Sequence, residues 1–463
     1  MQKTTTYIER LVDFIYDCRL ENIPAEVREK TALFVLDTLG VAVTNRDKPF
    51  VQQLARAVAR SARDGSCTAV GLSNTLIAEG AAMVNSTAIH GNDFDATHIV
   101  SIIHPCSVVV PTVLAVAEEV GTKGADVMAA LISGFEILIR MGLATRGTLH
   151  RTGFQSTALC APIVVSILAA RLYGASRDEA ANASGLSASI AAGLRAFSDD
   201  GTWGKRVITG WSCKAGLSAT ALAREGYSGS RDALEKGPFG FYRAFHVNGG
   251  YDTSELINGL GERWDTLDVD LKRYPCSHGH HAFINTARRA RSASNLEPDA
   301  IEAVNVHVSA EAQKWWFEPK ERKYELKDIY GARFAMPFTI GLALVFGNVT
   351  DRQLESREIL DEPALKSLVQ RIRPKIDGSL SNANPNHLPG TLEILMRDGS
   401  TQLFEGTGTA AGRDFKDAVL EKFALNVESH LSATDSHALI ESAIGLERLA
   451  HVRGMMGLLR RPA

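Results

Sequence analysis

Three long apolar segments follow one another in the first half of the sequence, and they limit what the chain can fold into. They run from Val108 to Val120, from Ala125 to Gly142 and from Thr157 to Tyr173. Each is longer than a typical buried strand, which favours a helix. No strand–helix alternation and no glycine-rich phosphate loop accompanies them. The sequence therefore predicts a large helical domain.

The pattern changes near Leu267. Residues 301–308 alternate between apolar and polar side chains, which is the period of a half-buried strand. Residues 390–404 form two short runs joined at Asp398-Gly399, a strong signal for a β-hairpin. We therefore predict a mainly α fold with an α+β part. The predicted domains are a helical domain over 1–266, an α+β lid domain over 267–405, and C-terminal helices over 406–463 that rejoin the helical domain.

Charge and composition exclude several classes of protein. The formal net charge is 50 − 53 = −3, whereas a nucleic-acid-binding domain usually carries a basic excess. The six cysteines form no CxxC pair, so no zinc-knuckle or iron–sulfur spacing is visible. The N-terminus lacks the apolar core of a signal peptide, and the most apolar windows, near 108–116 and 158–170, fall short of about 18 residues. We predict a cytoplasmic protein that binds neither nucleic acid nor membrane.

The densest group of reactive side chains lies between His90 and His104, in the stretch HGNDFDATHIVSIIH. Apolar, helix-like sequence flanks it on both sides. An unpaired buried polar group costs about 1–3 kcal/mol, so these side chains must be paired, hydrated or functional. Asp93 and Asp95 could also be helix caps or turn residues, and Thr97 could cap the next turn.

A second polar stretch, residues 198–206, reads SDDGTWGKR. It places two cations, Lys205 and Arg206, after a glycine-flanked turn, where they could bind a carboxylate. The alternative is a solvated pair of surface cations. Trp211, shortly afterwards, could be a core residue.

Two further stretches precede predicted helices. Residues 150–157 read HRTGFQST, and residues 272–281 read KRYPCSHGHH at the predicted domain junction. His278, His280 and His281 cannot all face one point, so at least one of the three has no role in a site.

With these stretches together, the sequence resembles the MmgE/PrpD family, which includes 2-methylcitrate dehydratase, cis-aconitate decarboxylase and iminodisuccinate epimerase. The resemblance runs almost end to end. Its most specific blocks are HGNDFDATHI followed by HPCSVVVPTVLAVAEEVG, and LKRYPCSHGHHAFINTA. It implies a helical domain with a smaller α+β lid, a homodimer, a substrate in the cleft between domains, and no metal or organic cofactor.

The candidate site residues combine the family motifs with the reasoning from residue types. The candidate catalytic residues are Asp93, His104, Lys205 and Lys272; the candidate substrate-binding residues are Thr97, Gln155, Arg206, Arg273, Ser277, His278 and His281. The cations would neutralise carboxylates and the charge that develops when an α-proton leaves. His104 would act as base or acid, because its ordinary pKa near 6.5 suits either role.

The sequence departs from the family pattern at several positions. Gln155 stands where the family often has an active-site histidine. Residues 205–211 read KRVITGW where the family often has KRLHPGW. The decarboxylase branch has a histidine at the position of Ser277 and a tyrosine at the position aligned with Phe338. These departures argue against decarboxylation of cis-aconitate.

The sequence therefore predicts a cofactor-independent lyase acting α to a carboxylate of a small di- or tricarboxylic acid, in the manner of 2-methylcitrate dehydratase. An epimerase of a dicarboxylate is the first alternative, followed by a decarboxylase. A metal-dependent hydrolase could instead use His90, Asp93, Asp95, His98 and His104 as ligands, with His278 and His280 as further candidates. A catalytically silent binding protein is the last alternative.

Overall fold

A computed structural model describes residues 5–235, 237–246, 248–294, 296–381, 383, 388–406 and 415–461. The α-helices are α1 (Tyr7–Asp17), α2 (Ala25–Asn45), α3 (Pro49–Val58), α4 (Ala78–His90), α5 (Cys106–Val120), α6 (Gly124–Ala144), α7 (Thr148–Arg151), α8 (Ser156–Leu172), α9 (Arg177–Ile190), α10 (Phe197–Asp200), α11 (Gly204–Arg224), α12 (Phe241–Phe245), α13 (His281–Ser294), α14 (Ala310–Trp316), α15 (Lys320–Lys323), α16 (Met336–Phe346), α17 (Pro363–Val369), α18 (Phe415–Val427), α19 (Ala433–Ile444) and α20 (Arg453–Gly457). The strands are β1 (Thr97–His98), β2 (Val269–Asp270), β3 (Ile301–Val308), β4 (Ile372–Ile376), β5 (Leu392–Met396) and β6 (Thr401–Phe404). The predicted fold class, mainly α with an α+β part, is confirmed.

The chain divides into two compact units. The first unit contains Met1–Val269 together with Asp414–Ala463, and the second contains Asp270–Arg413. In the first unit α5, α6 and α8 form the centre, because almost every residue in them is buried. Helix α11 packs against α4 and α8. The three apolar segments seen in the sequence are therefore the central helices of this unit.

Close approach of α11 to α4 depends on Gly210. A Cβ atom at this position would lie 2.5 Å from the carbonyl oxygen of Met83 and 2.6 Å from Oγ1 of Thr87. Both distances are well inside van der Waals contact, and the first is to backbone. A side chain at residue 210 would therefore push the two helices apart.

Gly210→Ala is expected to lower the free energy of unfolding by about 1–3 kcal/mol, the usual cost of overpacking a core. Alanine's better helix propensity would offset this by up to about 1 kcal/mol. Gly454→Ala in α20 is the matched control, because a Cβ atom there would meet nothing within 4 Å. Urea denaturation of both variants measures the difference. Equal stability of the two would contradict the close approach.

The second unit contains a four-stranded sheet in the order β4-β3-β5-β6. Strand β3 pairs in parallel with β4 and antiparallel with β5. Strands β5 and β6 form the predicted hairpin, and its turn residue Gly399 has a φ of +87°, which glycine adopts without strain. The buried faces of β3, β5 and α16 share one hydrophobic core.

Helix α6 is long and apolar enough, by length and composition, to span a membrane. However, 94% of its most apolar window is buried within the protein. A buried core helix passes the same test, so this helix is weak evidence for a membrane segment.

Candidate active site

The loop between α4 and α5 carries the first cluster of candidate residues. Two residues in it that are not glycine have positive φ angles, Asp93 at +55° and Ile102 at +56°. This conformation is uncommon for aspartate and is a true outlier for a β-branched residue. Backbone strain of this kind collects at functional sites, where surrounding structure holds it in place. The loop is therefore a strong candidate for a site.

Asp93 forms a buried ion pair with Lys205 at the start of α11. The side chains of Lys205 and Asp93 are only 8% and 3% exposed. Arg206 is also buried, and its guanidinium lies 4.1 Å from the ring centre of Phe50 and 5.0 Å from that of Trp203. The alternative that residues 205 and 206 are a solvated pair is wrong.

Trp211, by contrast, is 51% exposed, so the alternative that it is a core residue is also wrong. Its ring lies 5.6 Å from Nζ of Lys214, one turn further along α11. The polar end of α11, at Lys205, is thus turned inward, while Trp211 lies on the helix face that is exposed.

His104 is held by its backbone and by its side chain. Its backbone N–H donates to Oγ1 of Thr157 in α8 at 2.9 Å, and its carbonyl accepts from the hydroxyl of Ser107 at 2.9 Å. Its ring atom Nδ1 lies 3.3 Å from Oγ1 of Thr97 and 3.2 Å from Oδ2 of Asp95. The side chain is 10% exposed. This arrangement gives the imidazole one orientation.

Asp95 also contacts His90, the last residue of α4. Nδ1 of His90 lies 3.0 Å from Oδ2 of Asp95, and both side chains are fully buried. Burial alone would raise the pKa of Asp95, but the nearby histidines His90 and His104 outweigh it and hold the pKa well below its ordinary value. Asp95 is therefore an ionised carboxylate at neutral pH.

The ligand atoms of His90, Asp95 and His104 all lie within 4.8 Å of one another, so these three residues could also hold a metal ion. Histidine nitrogens and a carboxylate oxygen suit a divalent metal such as Zn²⁺. His98, another ligand considered from the sequence, instead places Nδ1 2.7 Å from Oγ of Ser101 within its own turn.

The stretch 150–157 contributes supporting residues. The side-chain oxygen of Gln155 accepts a hydrogen bond of 2.5 Å from the backbone of Ala158, which caps the N-terminus of α8. Burial lowers the pKa of His150 well below its ordinary value, and the charges of Arg195, Lys205 and His104 lower it further. His150 is therefore uncharged at neutral pH. Gln155 has the structural role of capping α8.

The second unit contains the remaining candidates. Lys272 is 1% exposed, Arg273 is exposed and Ser277 is partly buried. Arg333, itself fully buried, holds this segment: its guanidinium donates to the carbonyl of Pro275 at 2.7 Å, and its carbonyl accepts from the backbone N–H of Ser277 at 2.9 Å. The turn that follows Lys272 is thus fixed from within the second unit.

The three histidines that follow separate into two environments. The rings of His278 and His281 stack with centroids 4.7 Å apart, and Nε2 of His278 lies 3.1 Å from Oδ2 of Asp270. His280 instead places Nδ1 3.1 Å from Oγ1 of Thr339 and meets Trp316 edge-on. His280 therefore packs against the core of the unit, while His281, equally buried, packs against His278 and Tyr274.

The structure brings together the candidates of the first unit as two groups, Asp93 with Lys205 and Thr97 with His104. It adds Asp95 and His90 to the second group. The sequence analysis considered these two only as metal ligands or turn residues. The five-residue spacing between them could have suggested contact, because a helix that ends at residue 90 lets the chain turn back. Nothing in the sequence marks Thr157 as the residue that anchors His104.

Two protein-family models match this sequence. A model of the MmgE/PrpD N-terminal domain matches residues 9–253, and a model of the MmgE/PrpD C-terminal domain matches residues 274–447. The chain belongs to the MmgE/PrpD family. The resemblance found in the sequence is thereby confirmed.

Curated relatives of this MmgE/PrpD protein match over nearly its whole length. A cis-aconitate decarboxylase-like protein of Aspergillus oryzae is 25% identical over 472 residues, covering 97% of this chain and 96% of the relative. A cis-aconitate decarboxylase of Aspergillus terreus is 25% identical over 462 residues, covering 96% and 93%. A cis-aconitate decarboxylase of Homo sapiens is 24% identical over 407 residues, covering 83% and 79%. At this identity, lyase chemistry is supported as a class and the particular reaction is not.

Proposed function

We propose that the protein is a cofactor-independent lyase that removes a proton α to a carboxylate of a small di- or tricarboxylic acid, and that it eliminates water as 2-methylcitrate dehydratase does. The observation that carries the proposal is His104. It is a nearly buried imidazole with a fixed orientation, in the same strained loop as the Asp93–Lys205 ion pair. A titratable group beside buried cationic charge suits proton removal next to a carboxylate.

In the proposed reaction His104 takes the proton from the carbon next to a carboxylate. The electron pair of the broken C–H bond forms the new C=C bond, and the C–O bond on the neighbouring carbon breaks. The departing hydroxide takes up the proton held by His104 and leaves as water, which returns the imidazole to its neutral form. Lys205 stabilises the negative charge that develops on the substrate carboxylate, with Asp93 holding the ammonium group in place.

The remaining candidate residues enter the proposal from the family motif and from their charge. Arg206, Lys272 and Arg273 would neutralise further carboxylates of the substrate. Thr97 and Gln155 would hydrogen-bond it, as would Ser277, His278 and His281. The exposure of Arg273 leaves its guanidinium hydrated, so we expect Lys272 to contribute more to affinity.

Decarboxylation is the second candidate, and the curated relatives favour it, since the three named above are called cis-aconitate decarboxylases or decarboxylase-like. Our expectation that Ser277 and Phe338 argue against this reaction stays a prediction. In the structure Phe338 is buried in the core of the second unit, with 4% exposure.

Proton NMR in D₂O separates these reactions. The full chain is incubated with citrate, 2-methylcitrate, cis-aconitate, malate-like and aminosuccinate-type acids, with His104→Gln as the inactive control. Loss of an α-proton signal with appearance of an alkene supports dehydration, and exchange without a new product supports epimerisation. Release of CO₂ from cis-aconitate supports decarboxylation and overturns the proposal. No exchange with any acid would favour the silent binding protein.

Removal of metal is expected to leave turnover unchanged, because the proposed chemistry uses only side chains of the protein. The measurement is the rate before and after dialysis against a chelator, with elemental analysis of both samples. Activity that disappears with the chelator and returns with a stoichiometric divalent ion would favour the metal-dependent hydrolase, with His90, Asp95 and His104 as ligands.

A further inference from the structure

The Asp95 carboxylate lies between two imidazoles. Oδ2 of Asp95 is 3.0 Å from Nδ1 of His90 and 3.2 Å from Nδ1 of His104. The two rings meet edge-to-face, with centroids 4.8 Å apart and an angle of 79°. The same nitrogen of each histidine, Nδ1, therefore faces the same oxygen.

A carboxylate oxygen accepts hydrogen bonds, so His90 donates its Nδ1–H to Asp95, and His104, whose Nδ1 lies 3.2 Å from Oδ2, is placed to do the same. This arrangement selects the Nδ1–H tautomer of both rings and leaves Nε2 of His104 as the atom that can take a proton from a substrate. The hydroxyl of Thr97 donates to the carbonyl oxygen of Asp95 at 3.4 Å, so its oxygen, 3.3 Å from Nδ1 of His104, acts as a second acceptor for that ring and does not donate to it.

His90 has no evident task except this contact. Its side chain is fully buried, and within the described residues its Nε2 has no hydrogen-bond partner. A polar atom left unsatisfied in this way costs free energy, which the fold tolerates where the residue serves a function. A donor aimed at Asp95 is such a function, because it holds the carboxylate in place and opposes its protonation.

We propose that Asp95 and His90 are positioning residues for His104. Asp95 fixes the Nδ1–H tautomer of His104 and directs Nε2 to the reacting proton, and His90 acts through Asp95. When Nε2 takes the proton from the substrate, the carboxylate compensates the charge of the imidazolium, and the proton stays on His104 until it is released. The role of Asp95 and His90 in turnover rests on the proposed function, whereas the tautomer that Asp95 imposes on His104 does not.

The first test measures the tautomer and needs no substrate. Chelator-treated full chain is labelled with ¹⁵N-histidine, and His104→Gln and His90→Gln identify the two sets of ring signals. We expect a proton on Nδ1 of both rings, and in Asp95→Asn a shift of His104 toward the Nε2–H form. Wild-type His104 protonated only on Nε2 would overturn the proposal. So would an added Zn²⁺ ion that binds and displaces both Nδ1 protons, since the three residues would then be a metal site.

The second test is a double-mutant cycle on α-proton exchange with an acid that the NMR panel identifies. Asp95→Asn is expected to lower kcat about 10²-fold, which is part of the usual contribution of a general acid or base, with KM changed little. In the His104→Gln background the same substitution is expected to cost nothing further, because residues that act as a unit are not additive. An equal loss in both backgrounds would mean a merely structural role and would overturn the proposal.

Two controls keep the outcomes distinct. Asp126→Asn removes an exposed carboxylate from the same unit and is expected to leave kcat unchanged. If Asp95→Asn does not fold, His90→Gln replaces it and is expected to lower kcat less, with the same absence of effect in the His104→Gln background. If no acid exchanges a proton, the proposed function fails, and the tautomer measurement still decides whether Asp95 orients His104.

Discussion

Replacement of His104 by glutamine is expected to lower turnover by about 10²–10⁴-fold, the range that a general acid or base contributes. Glutamine can keep a hydrogen bond to Asp95 or Thr97 but cannot take a proton. The effect should therefore appear in kcat, with little change in KM, because the cations that bind the substrate carboxylates are untouched. Initial rates over a range of substrate concentrations measure both constants.

His98→Gln is the matched control for this experiment. His98 is a buried histidine of the same loop, but its Nδ1 contacts Ser101 within the turn. We expect it to retain most of the turnover. If both variants lose activity alike while remaining folded by circular dichroism, the loss reflects disturbance of the loop. His104 would then not be the proton-transfer group.

The fold of the first unit could be predicted because its signal is long and repeated. Helices α5, α6 and α8 lie where the apolar segments are, since a segment of that length satisfies its own backbone hydrogen bonds only as a helix. The hairpin of β5 and β6 was equally clear, because the Asp398-Gly399 pair fits a tight turn. The parallel pairing of β3 with β4 could not be predicted, because no local signal relates strands so far apart in sequence.

The sequence could predict which residue types form the candidate site, but it could not predict which of them contact one another. The polar stretch from His90 to His104 was evident, and so was the pair Lys205 and Arg206. The burial of Lys205 against Asp93 depends on how α11 meets the loop, which is a property of packing. Lys205 is buried and Trp211 is exposed, although residue type alone favoured a solvated lysine and a buried tryptophan. Their burial, too, is decided by packing.

Lys422→Met is expected to lower the free energy of unfolding by about 3–5 kcal/mol, the cost of breaking a buried ion pair by removing one partner. Nζ of Lys422 lies 2.7 Å from Oδ1 of Asp37, and the two side chains are 6% and 0% exposed. Among the described residues, no hydrogen bond from a group other than Lys422 reaches the carboxylate of Asp37, so its charge depends on Lys422. Burial raises the pKa of Asp37, and Lys422 opposes this.

The controls for this prediction come from the same helix and the same pair. Lys416→Met removes an exposed lysine of α18 and is expected to change stability by less than about 0.5 kcal/mol. The double variant Asp37→Asn/Lys422→Met removes both charges and should recover most of the lost stability. Urea unfolding of the four proteins measures this, and a double variant no more stable than Lys422→Met would contradict an unpaired charge as the cause.

Lys422 also links α18 to the loop of the candidate site, so we expect its removal to lower turnover as well as stability. Its Nζ donates at 2.8 Å to the carbonyl of Phe94, 328 residues away in the sequence, and lies 4.0 Å from the centre of the Phe94 ring. Phe94 stands between Asp93 and Asp95, the two carboxylates that hold Lys205 and His104. Asp37→Asn keeps this contact and Lys422→Met removes it. At temperatures where both variants are folded, we therefore expect kcat to fall in Lys422→Met and to stay near the wild-type value in Asp37→Asn. Equal kcat values would show that α18 supports the fold of the first unit without orienting the loop.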